Sequence, residues 1–146
     1  MRELTWVEVW RDFLCPQLND AGLRELREAL ARDAATLITG ASLYPPDIQG
    51  CRDWPVESAC PLGYALWHGS DDPPIVGVLC RRFTEAVIRC DEMAGQAVAF
   101  IFLRWVDNTP RDLMRAQLIE EVDRELLRRE DAEADLAPVA VVRIAE

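Results

Sequence analysis

At 146 residues, half of them hydrophobic and 29% charged, the chain has the composition of one globular domain rather than of a disordered segment. Its 16 basic residues are all arginine and face 26 acids, for a formal net charge of −10. This excludes Schiff-base or P-loop lysine chemistry and opposes binding to a nucleic-acid backbone, while the one histidine, His68, excludes a multi-histidine metal site.

The first periodic stretch is Leu4 to Leu14. Trp6, Trp10 and Phe13 fall on one helical face, Thr5 and Glu8 have the spacing of a capping box, and Pro16 is the expected stop. A second helix starts at Asn19 or Asp20, buries Leu23, Leu26, Leu30 and Leu37, and ends at Gly40. Asp20–Arg24 and Glu28–Arg32 are expected as acid-then-base pairs on its outer side. Residues 41–57, ASLYPPDIQGCRDWPVE, form an ordered loop rather than a linker, because three prolines and two aromatics stiffen it.

A short helix over 58–67 follows. Gly69 to Pro74 is a turn, with Asp72 as cap and Pro73 as the first residue of the next helix. That helix runs to about Met93, buries Ile75, Leu79, Phe83, Val87 and Cys90, and stops at Gly95. Ala97 to Asp107 reads as helix in preference to buried strand. The last helix has Thr109 as cap, Pro110 at its first position and a core stripe of Met114, Leu118, Val122 and Leu126. Glu120–Arg124 and Glu125–Arg129 are further expected pairs. The tail from Leu136 to Ile144 is β-like and is expected as an extended arm.

Five cysteines and His68 are spread as Cys15, Cys51, Cys60, His68, Cys80 and Cys90. Structural zinc takes ligands in close pairs, which are missing here, so buried thiols are expected and no metal or other cofactor. Cys60 lies about 12 Å along a helix from His68, too far for a nucleophile–base pair on one straight helix. His68 before Gly69 reads as a helix-end residue. The acids Asp71, Asp72, Asp91, Glu92 and Asp107 have no spacing that sets them apart from surface acid.

The aromatics stand out. Tyr44, Trp54, Tyr64 and Trp67 fall within 24 residues, with Arg52 and His68 among them. Rigid rings supply contact area at low entropic cost, so this set is the candidate binding surface or pocket. The N-terminal MRELTWVEVWRDF is charged and lacks the apolar run of a signal peptide. The longest apolar run, Ala97 to Leu103, falls far short of the ~20 residues of a membrane helix. A cytoplasmic location, no membrane and reduced thiols are therefore expected.

The expected fold is all-α: a compact bundle of five to six helices over residues 1–135, with a proline- and aromatic-rich loop and a short β-like arm over 136–146. Scarce, unclustered catalytic side chains and abundant acid favour a non-catalytic acidic interaction module, an adaptor, small subunit or inhibitor. Its partner would be a protein, basic in character or a second copy of the chain. A small enzyme or ligand-binding protein with a pocket of Tyr44, Trp54, Tyr64 and Trp67 is the rival. An acidic mimic of nucleic acid is the third reading.

Overall fold

The computed structural model describes residues 3–145, with side chains through Asp135. Six α-helices make an all-α bundle: α1 (Trp6–Val9), α2 (Asp20–Ala31), α3 (Pro61–His68), α4 (Val76–Ala94), α5 (Ala99–Asn108) and α6 (Arg111–Ala145). Two short strands, β1 (Leu43–Tyr44) and β2 (Ser58–Ala59), pair antiparallel, Leu43 with Ala59 and Tyr44 with Ser58. No helix among the described residues is long and apolar enough to cross a membrane.

The capping box forms as the spacing predicts. The Glu8 amide donates to Thr5 Oγ1, and the Thr5 amide donates to the Glu8 carboxylate at 3.1 Å. Pro16 does not end the helical path. After Val9 the chain widens into a π turn (Trp10–Leu14) and tightens into a 3-10 turn (Cys15–Gln17) that holds Pro16 in its first turn. A missing amide costs nothing there, since the first amides of any helical turn have no partner within it. The widened turn brings Trp10 and Leu14 into the core, while Trp6 and Phe13 stay half-buried. Trp6 stacks on Trp105 of α5 at 3.6 Å, and Trp10 on Phe102 at 5.3 Å.

Asn19 is the N-cap of α2 and accepts from the Gly22 amide at 2.8 Å. The helix stops at Ala31, well before Gly40, because Asp33 turns to a φ of 54°. Leu37 is buried as expected, but from a loop that bridges to Ala59. The expected Asp20–Arg24 and Glu28–Arg32 pairs are not among the ion pairs of the described residues: Asp20 turns to α6 and Arg32 to the Tyr64 hydroxyl, while Arg27 also reaches α6. Arg129 meets Asp20 at 2.8 Å and Arg27 meets Asp123 at 3.0 Å. These are reachable only once α2 and α6 lie side by side.

Helix α4 begins at Val76 rather than Pro73; Ile75 is its cap position, and the Asp72 carboxylate accepts from Arg82. Gly95 ends it in the left-handed conformation at φ 73°, as expected of a glycine stop. Residues 99–108 are helical, and Asp91 caps them from outside: its carboxylate accepts from the Val98 and Ala99 amides, each at 2.9 Å. In α6, Met114, Leu118 and Val122 are buried and Leu126 is half-buried. The Glu125–Arg129 pair forms at 2.6 Å. The backbone of α6 is assigned to Ala145, and the β-like arm expected over 136–146 falls outside the residues whose placement is described. Side chains from 136 onward lie outside those described.

Candidate interaction surface

The loop from Pro45 to Glu57 is held to the start of α4 by its own carbonyls. The Val76 amide donates to Trp54 O at 2.9 Å and the Gly77 amide to Arg52 O at 2.8 Å. No side chain caps α4, so these carbonyls satisfy amides that a helix start leaves open. Gly77 permits the approach: a Cβ there would sit 3.2 Å from Arg52 O. The Val56 amide bonds Pro74 O, and the Glu57 amide returns to Tyr44 O at 2.8 Å. Inside the loop Asp47 pairs with Arg52 at 3.1 Å and also takes a hydrogen bond from the Cys80 thiol of α4. The loop is therefore a fixed surface.

Three large apolar side chains point out from it into water: Tyr44 at 55% exposure, Ile48 at 56% and Trp54 at 54%. Beside Trp54 runs a groove of about 410 Å³, lined by Ile75, Gly77 and Val78 of the α4 start together with Arg52, Asp53 and Arg81. Arg81 is exposed and has no ion-pair or hydrogen-bond partner among the described residues.

The remaining predicted site residues sit elsewhere. Tyr64 is buried in the core and Trp67 is half-buried against it, their rings 5.8 Å apart. His68, the last residue of α3, packs on both rings at 4.3 Å. Its Nε2 is buried without a hydrogen-bond partner, and burial lowers its pKa. None of the larger cavities among the described residues is lined by Tyr44, Trp54, Tyr64 and Trp67 together. The reason is periodicity: Tyr64, Trp67 and His68 share one face of a helix that packs inward, whereas Tyr44 ends β1 and Trp54 lies in the loop that follows.

Cys60, Asp72, Asp91 and Asp107 have structural duties. All five cysteines are free. Burial pushes Cys15 up to about 12, and Cys60 and Cys90 up to about 11, so all three are poor nucleophiles at neutral pH. Cys60 Sγ accepts from the Gly63 amide as the cap of α3, a role for which sequence offered only the following Pro61 as a signal. Asp107 accepts from the Gly40 amide at 2.8 Å. Among the described residues, no group of three or more His, Cys, Asp or Glu side chains is placed to hold a metal ion.

A larger groove, of about 570 Å³, lies between the first turns and α6 and is lined by Arg11, Arg124, Arg128 and Arg129. Three of these are committed within the fold. Arg11 makes a bidentate pair with Glu121 at 2.7 and 2.9 Å, and Arg128 and Arg129 close on Glu125. Those contacts hold the Glu125 carboxyl at about 2.

No family model, no curated protein and no solved structure matches this chain.

Proposed function

We propose that the chain is a non-catalytic protein-binding module that works through the 41–57 loop and the adjoining groove, as an adaptor, small subunit or inhibitor of a larger assembly. One observation carries this reading: Tyr44, Ile48 and Trp54 are held in water by a loop whose backbone is tied to α4. Exposing large apolar groups on a fixed frame costs solvation and gains nothing for the fold. On a docking surface it supplies area whose ordering entropy has already been met. The raised thiols and the structural use of Asp91, Asp107 and Glu125 support binding over catalysis. Five free thiols fit a reducing cytoplasm.

The test is Trp54→Ala, measured for stability and for retention of partners captured from native lysate. Trp54 is half-exposed, so the melting temperature should hold within a few degrees while retention falls. A collapse in stability, or unchanged retention at unchanged stability, would count against this face.

A further inference from the structure

We infer that the partner of this face is a second copy of the chain, and that the docking segment is the outer stripe of α6 formed by Leu127, Glu130, Asp131 and Ala134. The inference rests on the interaction reading above and names its occupant. The stripe positions are spaced i, i+3, i+4 and i+7, which places them on one side of a helix. All four are exposed, Leu127 at 59%.

Glu130 and Asp131 have no partner among the described residues. This distinguishes them from the acids just upstream: Glu121, Asp123 and Glu125 are held by Arg11, Arg27 and Arg128 with Arg129. Glu121 and Asp123 fasten α6 to the body, and Glu125 holds Arg129, which reaches Asp20 of α2. From Glu130 to Asp135 every residue is exposed, so the helix has left the body and carries its acids free.

The two faces match in kind and in order. One offers an apolar ring, Trp54, and a groove with an apolar floor of Ile75 and Val78, an unpaired cation, Arg81, and at the wall Asp53 and Arg52, the latter paired with Asp47 yet still exposed. The other offers an apolar side chain, Leu127, one helical turn from two unpaired anions. Docking the stripe would bury Leu127 against the exposed apolar groups and bring Glu130 and Asp131 to Arg81 and Arg52. A chain of net charge −10 repels its own copies at long range, so only a local reversal of sign such as Arg81 can seat an acidic segment. Face and stripe lie on different elements. Two copies can therefore exchange stripes reciprocally, which closes a two-fold pair with two identical contacts.

The experiment is analytical ultracentrifugation of the full chain across a wide concentration range, for wild type, Arg81→Glu, Asp131→Arg and an equimolar mixture of the two variants. Both positions are exposed, and a melting curve for each variant confirms that it folds. The wild type is expected to dimerise, and each variant alone to lose at least about tenfold in affinity. The mixture should recover dimer. In a mixed pair the carboxylate introduced in one variant faces the guanidinium introduced in the other across one contact, while the second contact keeps its native Arg81 and Asp131. A dimer indifferent to both substitutions overturns the inference, as does loss in both variants without recovery on mixing. A strictly monomeric wild type overturns it too, yet leaves the protein-binding reading standing if Trp54→Ala still abolishes capture of another protein. If capture is also unaffected, both readings fall.

Discussion

The guanidinium of Arg115 on α6 donates to the carbonyl of Leu30 at 2.7 Å and to that of Ala31 at 3.1 Å, so one helix closes the C-terminal end of another. Arg111, one turn earlier, does the same for the loop beyond, reaching Ala34 O at 3.1 Å and Leu37 O at 2.8 Å, and pairing with Asp33 at 2.7 Å. The last carbonyls of α2 have no intrahelical partner, and a cation at that end also opposes the helix dipole. These two arginines explain how α2 can stop at Ala31 without a glycine.

Arg115→Ala should therefore destabilise the fold by about 2–3 kcal/mol, the range for hydrogen bonds made by a charged group that leave acceptors unmet. Arg115→Lys should recover only part of this, since an ammonium lacks the fork that reaches both carbonyls. Urea unfolding midpoints for the three proteins test it. Equal stability of Arg115→Ala and wild type would show that water replaces the contact at no cost.

Glu125 gives stability a pH dependence of known sign. Its carboxyl falls from an ordinary 4.5 to about 2, chiefly through the hydrogen bond from Arg128, with Arg129 adding to it. A carboxyl whose folded pKa lies below its unfolded value stabilises the fold above the unfolded value. That contribution is lost as pH falls from about 4.5 towards about 2. The side chain is buried and the shift is large, so the contribution at neutral pH is of order 3 kcal/mol. Glu125→Gln should be less stable at neutral pH by roughly this amount, and the gap should close as the solution is acidified through this window. A gap that stays constant with pH would mean that Glu125 acts through packing alone.

Gly22 shows a substitution whose sign reverses between the helix and the fold. Within an isolated helix, alanine is better than glycine by about 0.8–1.0 kcal/mol. In this protein an added Cβ would collide with the carbonyl oxygen of Ala65, because α2 and α3 meet backbone to backbone there. Gly22→Ala should thus destabilise the protein, by about 1–3 kcal/mol for an overpacked buried contact. Its melting temperature compared with that of wild type decides the matter, and a stabilised variant would show that the two helices can part freely.

Much of the helical plan was legible because its signals are local. The capping box at Thr5 and Glu8, the stop at Gly95, the stiff loop over 41–57 and the core stripe of α6 all depend on residues within a turn or two of each other. Their short-range sterics and hydrogen bonds do not wait for the rest of the chain. The candidate face was legible in part for the same reason. Trp54, Tyr44 and Arg52 sit in a proline-rich segment that cannot join a helix, whereas Tyr64, Trp67 and His68 share a helical face that packs inward.

Local signals thus specify the set of helices and the segment left free to present side chains. Where helices end depends on packing when the terminator is distant in the chain. Asp91 starts α5, Arg115 and Arg111 finish α2, and the loop carbonyls of Arg52 and Trp54, rather than Asp72 and Pro73, start α4. Packing also sets the ion pairs, sending Asp20 to Arg129 instead of Arg24. One cause underlies each case. An open amide, an open carbonyl or a charge takes the best-placed partner, and which partner is best placed is known only after the helices have packed.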